Sequence, residues 1–283
     1  MKTQTLSMRF PNGLAKAVTL SYDDGIMEDF PLIEIMKQHG LRGTFNINSA
    51  LLKEEDVPMD TMGLWKRMSL KQAQALYAQD GIEVAVHGLT HEDLPTLPMS
   101  QVNYQVLRDR ENLEAQFGGI IRGMAYPYGT FSDAVVEALR ASGIVYSRTV
   151  ISSENFGIPT DWLRWSPTCH HKNPRLNELT ACFLEKQHTS REKPWLFYLW
   201  GHSAEFERDH NWEIIEQFAK TVGGREDIWY ATNMEIYKYV EACRAMIMSL
   251  DMKRFYNPTA TTLYFDLNGK DYTIAPGQTL VIE

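Results

Sequence analysis

Apolar residues in this chain occur in two forms that alternate along it: short continuous runs, and longer stretches striped every three to four positions. Residues 17–22 are the first such run and read as a buried strand. Asp29 then sits where an N-cap is expected, with Pro31 in the first turn, Leu32, Ile35 and Met36 on one face, and Gly40 as the stop. Residues 44–48 form the next strand. Ser69 caps a helix carrying Leu70, Ala73, Leu76 and Tyr77, and Gly81 precedes a strand over 82–86. Ser100 opens a helix through Val102, Leu107 and Leu113 that closes at Gly118 and Gly119.

Strand 120–125, a helix from Ser132 to Gly143 and strand 144–149 continue the alternation, followed by a weaker helix over 173–186. Residues 195–200 are a strongly apolar strand, 212–221 a helix, 228–231 a short strand and 234–248 a final helix. This makes about seven strand-helix units. Such spacing predicts parallel strands joined by right-handed crossovers, as an open doubly wound sheet or as a closed barrel, and periodicity does not separate the two. The tail changes character. Residues 262–267 alternate, Asn268-Gly269 is a hairpin signal, and 272–274 and 279–282 flank Pro276-Gly277. The expected division is a main domain over 1–249 and a β appendage over 250–283, too short to bury a core of its own.

The chain has 283 residues, and its 36 acidic against 28 basic side chains give a formal net charge of -8. That balance disfavours a nucleic-acid surface. The 44% hydrophobic and 23% charged content is that of a soluble globular protein. Residues 1–10 lack the apolar stretch of a secretory signal, and no run approaches a membrane span. Cys169, Cys182 and Cys243 are odd in number and irregular in spacing, so no disulfide framework is expected. A cytoplasmic setting is the simplest reading, with neither nucleic acid nor membrane as a partner.

Four weak chemical signals follow the strands: Ser21-Tyr22-Asp23-Asp24-Gly25, His87-Gly88-Leu89-Thr90-His91, Ala125-Tyr126-Pro127-Tyr128-Gly129, and Leu199-Trp200-Gly201-His202. Taken singly, each is as well explained by a turn, a loop or a structural histidine. Their shared position is what adds information, because parallel α/β folds build active sites at the C-terminal ends of their strands. An aspartate and two histidines make a three-ligand set that leaves a metal position open, and the second aspartate becomes a natural base.

In this order the motifs resemble the polysaccharide deacetylase family, with its NodB homology domain, also called carbohydrate esterase family 4. The resemblance spans about residues 17–231. It implies a distorted (β/α)7 TIM-like barrel, here with the small C-terminal β appendage, and hydrolytic removal of acetyl groups from N-acetylated or O-acetylated sugars. It also implies Asp24, His87 and His91 as metal ligands, Asp23 as general base, His202 as general acid and the Tyr128 backbone N–H as an oxyanion contact. The implied cofactor is a divalent ion, zinc first, with cobalt, nickel or manganese as alternatives. An acetylated sugar or oligosaccharide is the implied partner, and a dimer is one possible assembly.

Two departures stand out. The family's arginine before the proline motif, which pairs with the catalytic aspartate, is Ala125 here. Arg164 and Arg122 are the expected replacements. Cys169-His170-His171 is unexplained by the family pattern, and His170 and His171 are candidate substrate contacts. Phe131, Trp162 and Trp165 are candidates for a sugar-stacking face, although Asp161-Trp162 only faintly echoes the family's fourth motif. Two other readings remain: a same-fold metal-dependent amidohydrolase acting on a small amide or cyclic imide, and a non-catalytic sugar-binding protein.

Overall fold

The computed structural model describes residues 5–61, 65–185 and 193–283. The chain opens with β1 (Leu6–Arg9), a strand that the apolar pattern does not announce. The expected alternation follows as β2 (Lys16–Asp23), α1 (Asp29–Gln38), β3 (Gly43–Ile47), α2 (Leu70–Tyr77), β4 (Ile82–Val86), α3 (Met99–Phe117), β5 (Gly123–Ala125), α4 (Asp133–Ala141) and β6 (Tyr146–Arg148). It continues through β7 (Cys169–His170), α5 (Leu176–Glu185), β8 (Trp195–Gly201), α6 (Ala204–Arg208), α7 (Glu213–Val222), β9 (Ile228–Tyr230) and α8 (Asn233–Arg244). Residue 186, the expected end of the fifth helix, lies outside the described residues.

Seven strands run in the order β6-β5-β4-β3-β2-β8-β7, and β9 pairs with the first part of β2. Every pairing in this sheet is parallel. The sheet curls into an incomplete barrel, which resolves the choice between an open sheet and a barrel in favour of the latter. All eight residues of β2 are buried, as a central parallel strand covered on both faces requires. Gly123 is needed in β5 because a Cβ there would lie 2.1 Å from the phenol oxygen of Tyr146.

Local chemistry sets the helix starts. Ser69 and Gln72 form a reciprocal capping box at α2, Thr232 and Glu235 do the same at α8, and Ser132 caps α4. Helix α3 starts at Met99 behind Pro98, one residue before the expected Ser100. Its inward stripe is Val102, Val106, Asp109 and Leu113, so Leu107 faces out. Asp29 is not an N-cap but lies inside the first turn of α1.

The buried Asp29 carboxyl accepts from Tyr77 Oη at 2.6 Å and Ser203 Oγ at 2.5 Å, tying α1 to α2 and to the residue after His202. Burial, opposed by these bonds, pushes its pKa up to about 7. An unfolded aspartate titrates near 3.9, so between these values the folded state holds the extra proton. This group's contribution is therefore complete below about pH 4 and is lost as pH rises through about 7, amounting to roughly 4 kcal/mol at most. Asp29→Asn is expected to flatten the fall in stability between about pH 4 and 7, measured by denaturant titration. An unchanged slope would contradict the assignment.

The tail forms β10 (Ile247–Met248), β11 (Arg254–Tyr256), β12 (Leu263–Leu267), β13 (Lys270–Ile274) and β14 (Thr279–Val281). The β12–β13 hairpin turns at Asn268 and Gly269, both at positive φ. β1 adds to the free side of β12, so the N-terminal residues belong to this small sheet. Phe255 from β11 joins Leu263, Phe265, Leu267 and Ile274 of this sheet in one core that packs against Ala242 and Cys243 near the end of α8. The expected helix over 234–248 stops at Arg244 because Ile247 and Met248 are taken up in pairing with β11.

Candidate active site

The functional side chains gather where the parallel strands end. β2 finishes at Asp23, and Asp24 and Gly25 follow at φ 90° and 64°, a turn that presents the two carboxylates separately. Asn46 Nδ2 donates to Asp23 Oδ1 at 2.8 Å, and Arg148 donates to Oδ2. Arg148 is fully buried, with its guanidinium 4.2 Å from the Trp200 ring centre. Burial would raise the Asp23 pKa, but Arg148, His87 and His202 outweigh it and hold the carboxyl below its ordinary range. The cation expected at Arg164 or Arg122 is therefore Arg148. Arg164 pairs instead with Asp133 and Asp161, and Arg122 donates to the Gly143 carbonyl.

His87 is held from its backbone outward. Its N–H donates to Asp109 Oδ2 at 3.1 Å, and Asn48 Nδ2 donates to the carbonyls of His87 at 2.6 Å and Gly88 at 2.7 Å. The ring's Nδ1 lies 2.8 Å from the Ala125 carbonyl, an acceptor, so Nδ1 carries the proton and Nε2 is a bare lone pair. Burial pushes its pKa down to about 4 despite Asp23 and Asp24, which keeps the ring neutral. Nε2 stands 3.9 Å from Asp24 Oδ1, and His91 Nε2 stands 3.7 Å from the same oxygen. His87 Nε2 is buried without a hydrogen-bond partner, and Asp24 Oδ1, also buried, faces the Arg67 guanidinium at 2.8 Å. Ligand atoms about 2.1 Å from one ion are at most about 4.2 Å apart, so these separations suit a shared divalent cation.

A second cluster joins His170, His171 and Glu205, and it does not fit a metal. His170 Nε2 and His171 Nε2 lie 3.0 and 3.1 Å from Glu205 Oε2. The Lys172 N–H donates to His170 Nδ1 at 3.1 Å, so the neutral ring keeps its proton on Nε2, facing the carboxylate. A metal-bound histidine has the reverse arrangement, donating through its other nitrogen. His171 is buried against Gly201, where a Cβ would come within 2.1 Å of the ring. His202 Nδ1 also faces Glu205 Oε2 at 3.9 Å, while its Nε2 faces Asp23 Oδ2 at 3.9 Å. Burial alone would lower the His202 pKa, but Glu205, Asp23 and Asp24 raise it above the ordinary value.

Residues 11–147 match the family model for polysaccharide deacetylase. That stretch, just under half of the chain, is similar to the polysaccharide deacetylases. A Mycobacterium smegmatis protein assigned provisionally to the polysaccharide deacetylases superposes with a TM-score of 0.57 at 16% identity, covering 86% of this chain and 96% of that one. That likeness carries the fold. A family 4 carbohydrate esterase from Streptomyces lividans in complex with acetate gives 0.47 at 16% identity, over 76% of this chain and 92% of that one. The Streptococcus pyogenes deacetylase PplD in complex with acetate gives 0.44 at 19% identity, over 52% of this chain, and the match spans only 61% of the PplD chain. No curated protein matches the sequence.

The structure thus brings Asp23, Asp24, His87, His91 and His202 together at one candidate site. Tyr128 stands beside them at φ 57°, its ring edge-on to His91 and largely exposed, and no hydrogen bond among the described residues engages its N–H. The candidate substrate contacts are placed differently. His171 and Trp162 are both buried, the latter donating to Glu241 at 2.7 Å, and Trp165 is buried beside Trp162. Arg148, Trp65 and Arg67 escaped the motif reading, and Glu205, at the end of the run that holds His202, was given no role in it. An arginine inside an apolar strand was the available signal for Arg148. Nothing in the pattern marked Trp65 and Arg67, since their segment reaches the candidate site only through tertiary pairing. No described helix is long and apolar enough to cross a membrane.

Proposed function

We propose that this chain removes acetyl groups from N-acetylated or O-acetylated carbohydrate with a divalent ion, zinc by preference, held by Asp24, His87 and His91. The observation that carries the reading is the convergence of the bare His87 Nε2 lone pair and His91 Nε2 on Asp24 Oδ1, beside a second carboxylate. The ion, when bound, supplies Lewis acidity toward the acetyl carbonyl and acidifies water.

The chain's own residues do the rest. Asp23, oriented by Asn46 and kept ionised by Arg148, takes the proton of the attacking water. The free Tyr128 N–H donates to the oxyanion as the carbonyl carbon becomes tetrahedral. His202, held toward its protonated form by Glu205, delivers a proton to the leaving nitrogen or oxygen. His170, the more exposed of its pair, is the one we propose reaches the sugar. The domain division at 249/250 is kept in this reading, with β1 and β10 lent to the appendage.

The test is acetate release from N-acetylglucosamine oligomers and O-acetylated sugars, run beside cyclic imides and small amides. Zinc-loaded protein is expected to release acetate and chelated protein to lose that activity, with recovery on adding zinc back. Turnover of imides alone would favour the amidohydrolase reading, and turnover of nothing by loaded protein would favour a sugar-binding role.

A further inference from the structure

Arg67 lies outside every motif, yet it sits on the Asp24 carboxylate. Residues 65–69 pair back against the turn after β2, with Met27 N donating to Lys66 O at 2.9 Å and Met68 N to Gly25 O at 3.0 Å. This pairing aims two side chains at one group. Trp65 Nε1 donates to Asp24 Oδ2 at 3.1 Å, and Arg67 Nη1 lies 2.8 Å from Oδ1 while donating to the Asp24 backbone carbonyl.

That carbonyl anchors the guanidinium independently of the carboxylate, so the position of Arg67 does not rest on Oδ1 alone. Among the described residues its polar contacts are with Asp24 alone, and its side chain keeps 16% exposure. A guanidinium carries five N–H donors in a planar fork, and those on Nε and Nη2 are uncommitted here. Charge matching points the same way. Asp23 is already matched by Arg148 and Asp24 by Arg67, so a divalent ion leaves the site with a surplus of positive charge. A neutral sugar leaves that surplus unmatched, whereas an acidic one offsets it.

We propose that Arg67 is a specificity residue that pairs with a carboxylate on the acetylated sugar, making acidic acetylated saccharides the preferred substrate class. This rests on the deacetylase reading above. The fork of uncommitted donors suits a planar carboxylate in two parallel hydrogen bonds.

The experiment compares kcat/KM of the zinc-loaded protein on N-acetylglucosamine oligomers and on acetylated oligosaccharides containing uronic acid, for wild type, Arg67→Gln and Arg67→Lys. Wild type is expected to favour the acidic series by roughly tenfold or more. Arg67→Gln should erase that preference and Arg67→Lys restore only part of it. Calorimetric titration of metal-free protein with glucuronate and with glucose gives a second readout: wild type should bind glucuronate selectively, and Arg67→Gln should not. Equal losses on both substrate series, or no selective glucuronate binding by wild type, would overturn the proposal and leave Arg67 as a support for Asp24. Selective, Arg67-dependent glucuronate binding without acetate release from any sugar would instead sink the deacetylase reading and keep the carboxylate site.

Discussion

Asp23→Asn is expected to lower turnover on acetylated sugar by about a hundredfold to ten-thousandfold, the range general-base catalysis typically supplies. The substitution keeps the size of the side chain and removes its capacity to take a proton. Asp24, His87 and His91 are untouched, so zinc content should stay at the wild-type level. The variant should also lose some stability. Asn46 and Arg148 each donate to a different oxygen of Asp23, and an amide offers one oxygen and one NH2 group, so one donor meets another donor. A buried donor left unsatisfied costs about 1 to 3 kcal/mol. Steady-state acetate release, zinc content and denaturant midpoint measured on one preparation separate these effects. Turnover within tenfold of wild type, at full zinc occupancy, would contradict Asp23 as the base.

The sequence carried the strands and most helix starts, because both rest on local rules. Ser69 and Ser132 cap where a hydroxyl before an apolar stripe should, and Asn268-Gly269 turns its hairpin. It carried the side chains that gather at the candidate site because parallel strands place successive loops on one edge, so four weak motifs become one constellation. What it missed is tertiary. β1 has no apolar signature strong enough to show that it completes the sheet of a hairpin more than 250 residues away. Leu107 looks inward if only apolarity is counted, yet the stripe through Val106 and Asp109 turns it to solvent. Asp29 has the right identity for a cap, but its partners come from α2 and from the loop after β8. His170 and His171 look like substrate contacts by type, and only the structure shows that His171 is buried and that the Lys172 N–H turns the His170 proton toward Glu205.

Arg148→Met should be among the most destabilising single changes in the molecule, by about 3 to 5 kcal/mol. Methionine fills most of the volume and keeps an apolar contact with Trp200, so the loss is chiefly electrostatic. Asp23 would remain buried without its principal cation, and a buried charge whose partner is removed bears the full cost of desolvation. Because that cost belongs to the pair, Asp23→Asn combined with Arg148→Met should unfold at a higher denaturant concentration than Arg148→Met alone. A single variant as stable as wild type would show that Asn46 and the neighbouring histidines suffice to hold Asp23. The sheet register offers a sharper form of the test. Ala125 and Arg148 are directly paired neighbours on β5 and β6, so their side chains leave the same face of the sheet. The position where the resemblance places an arginine and the position where this chain carries one are thus adjacent on that face. Moving the cation, as Ala125→Arg with Arg148→Ala, should recover part of both the stability and the turnover that Arg148→Ala loses. No recovery in a folded double variant would mean that Asp23 depends on the approach direction of Arg148 and its seat over Trp200, and not on charge alone.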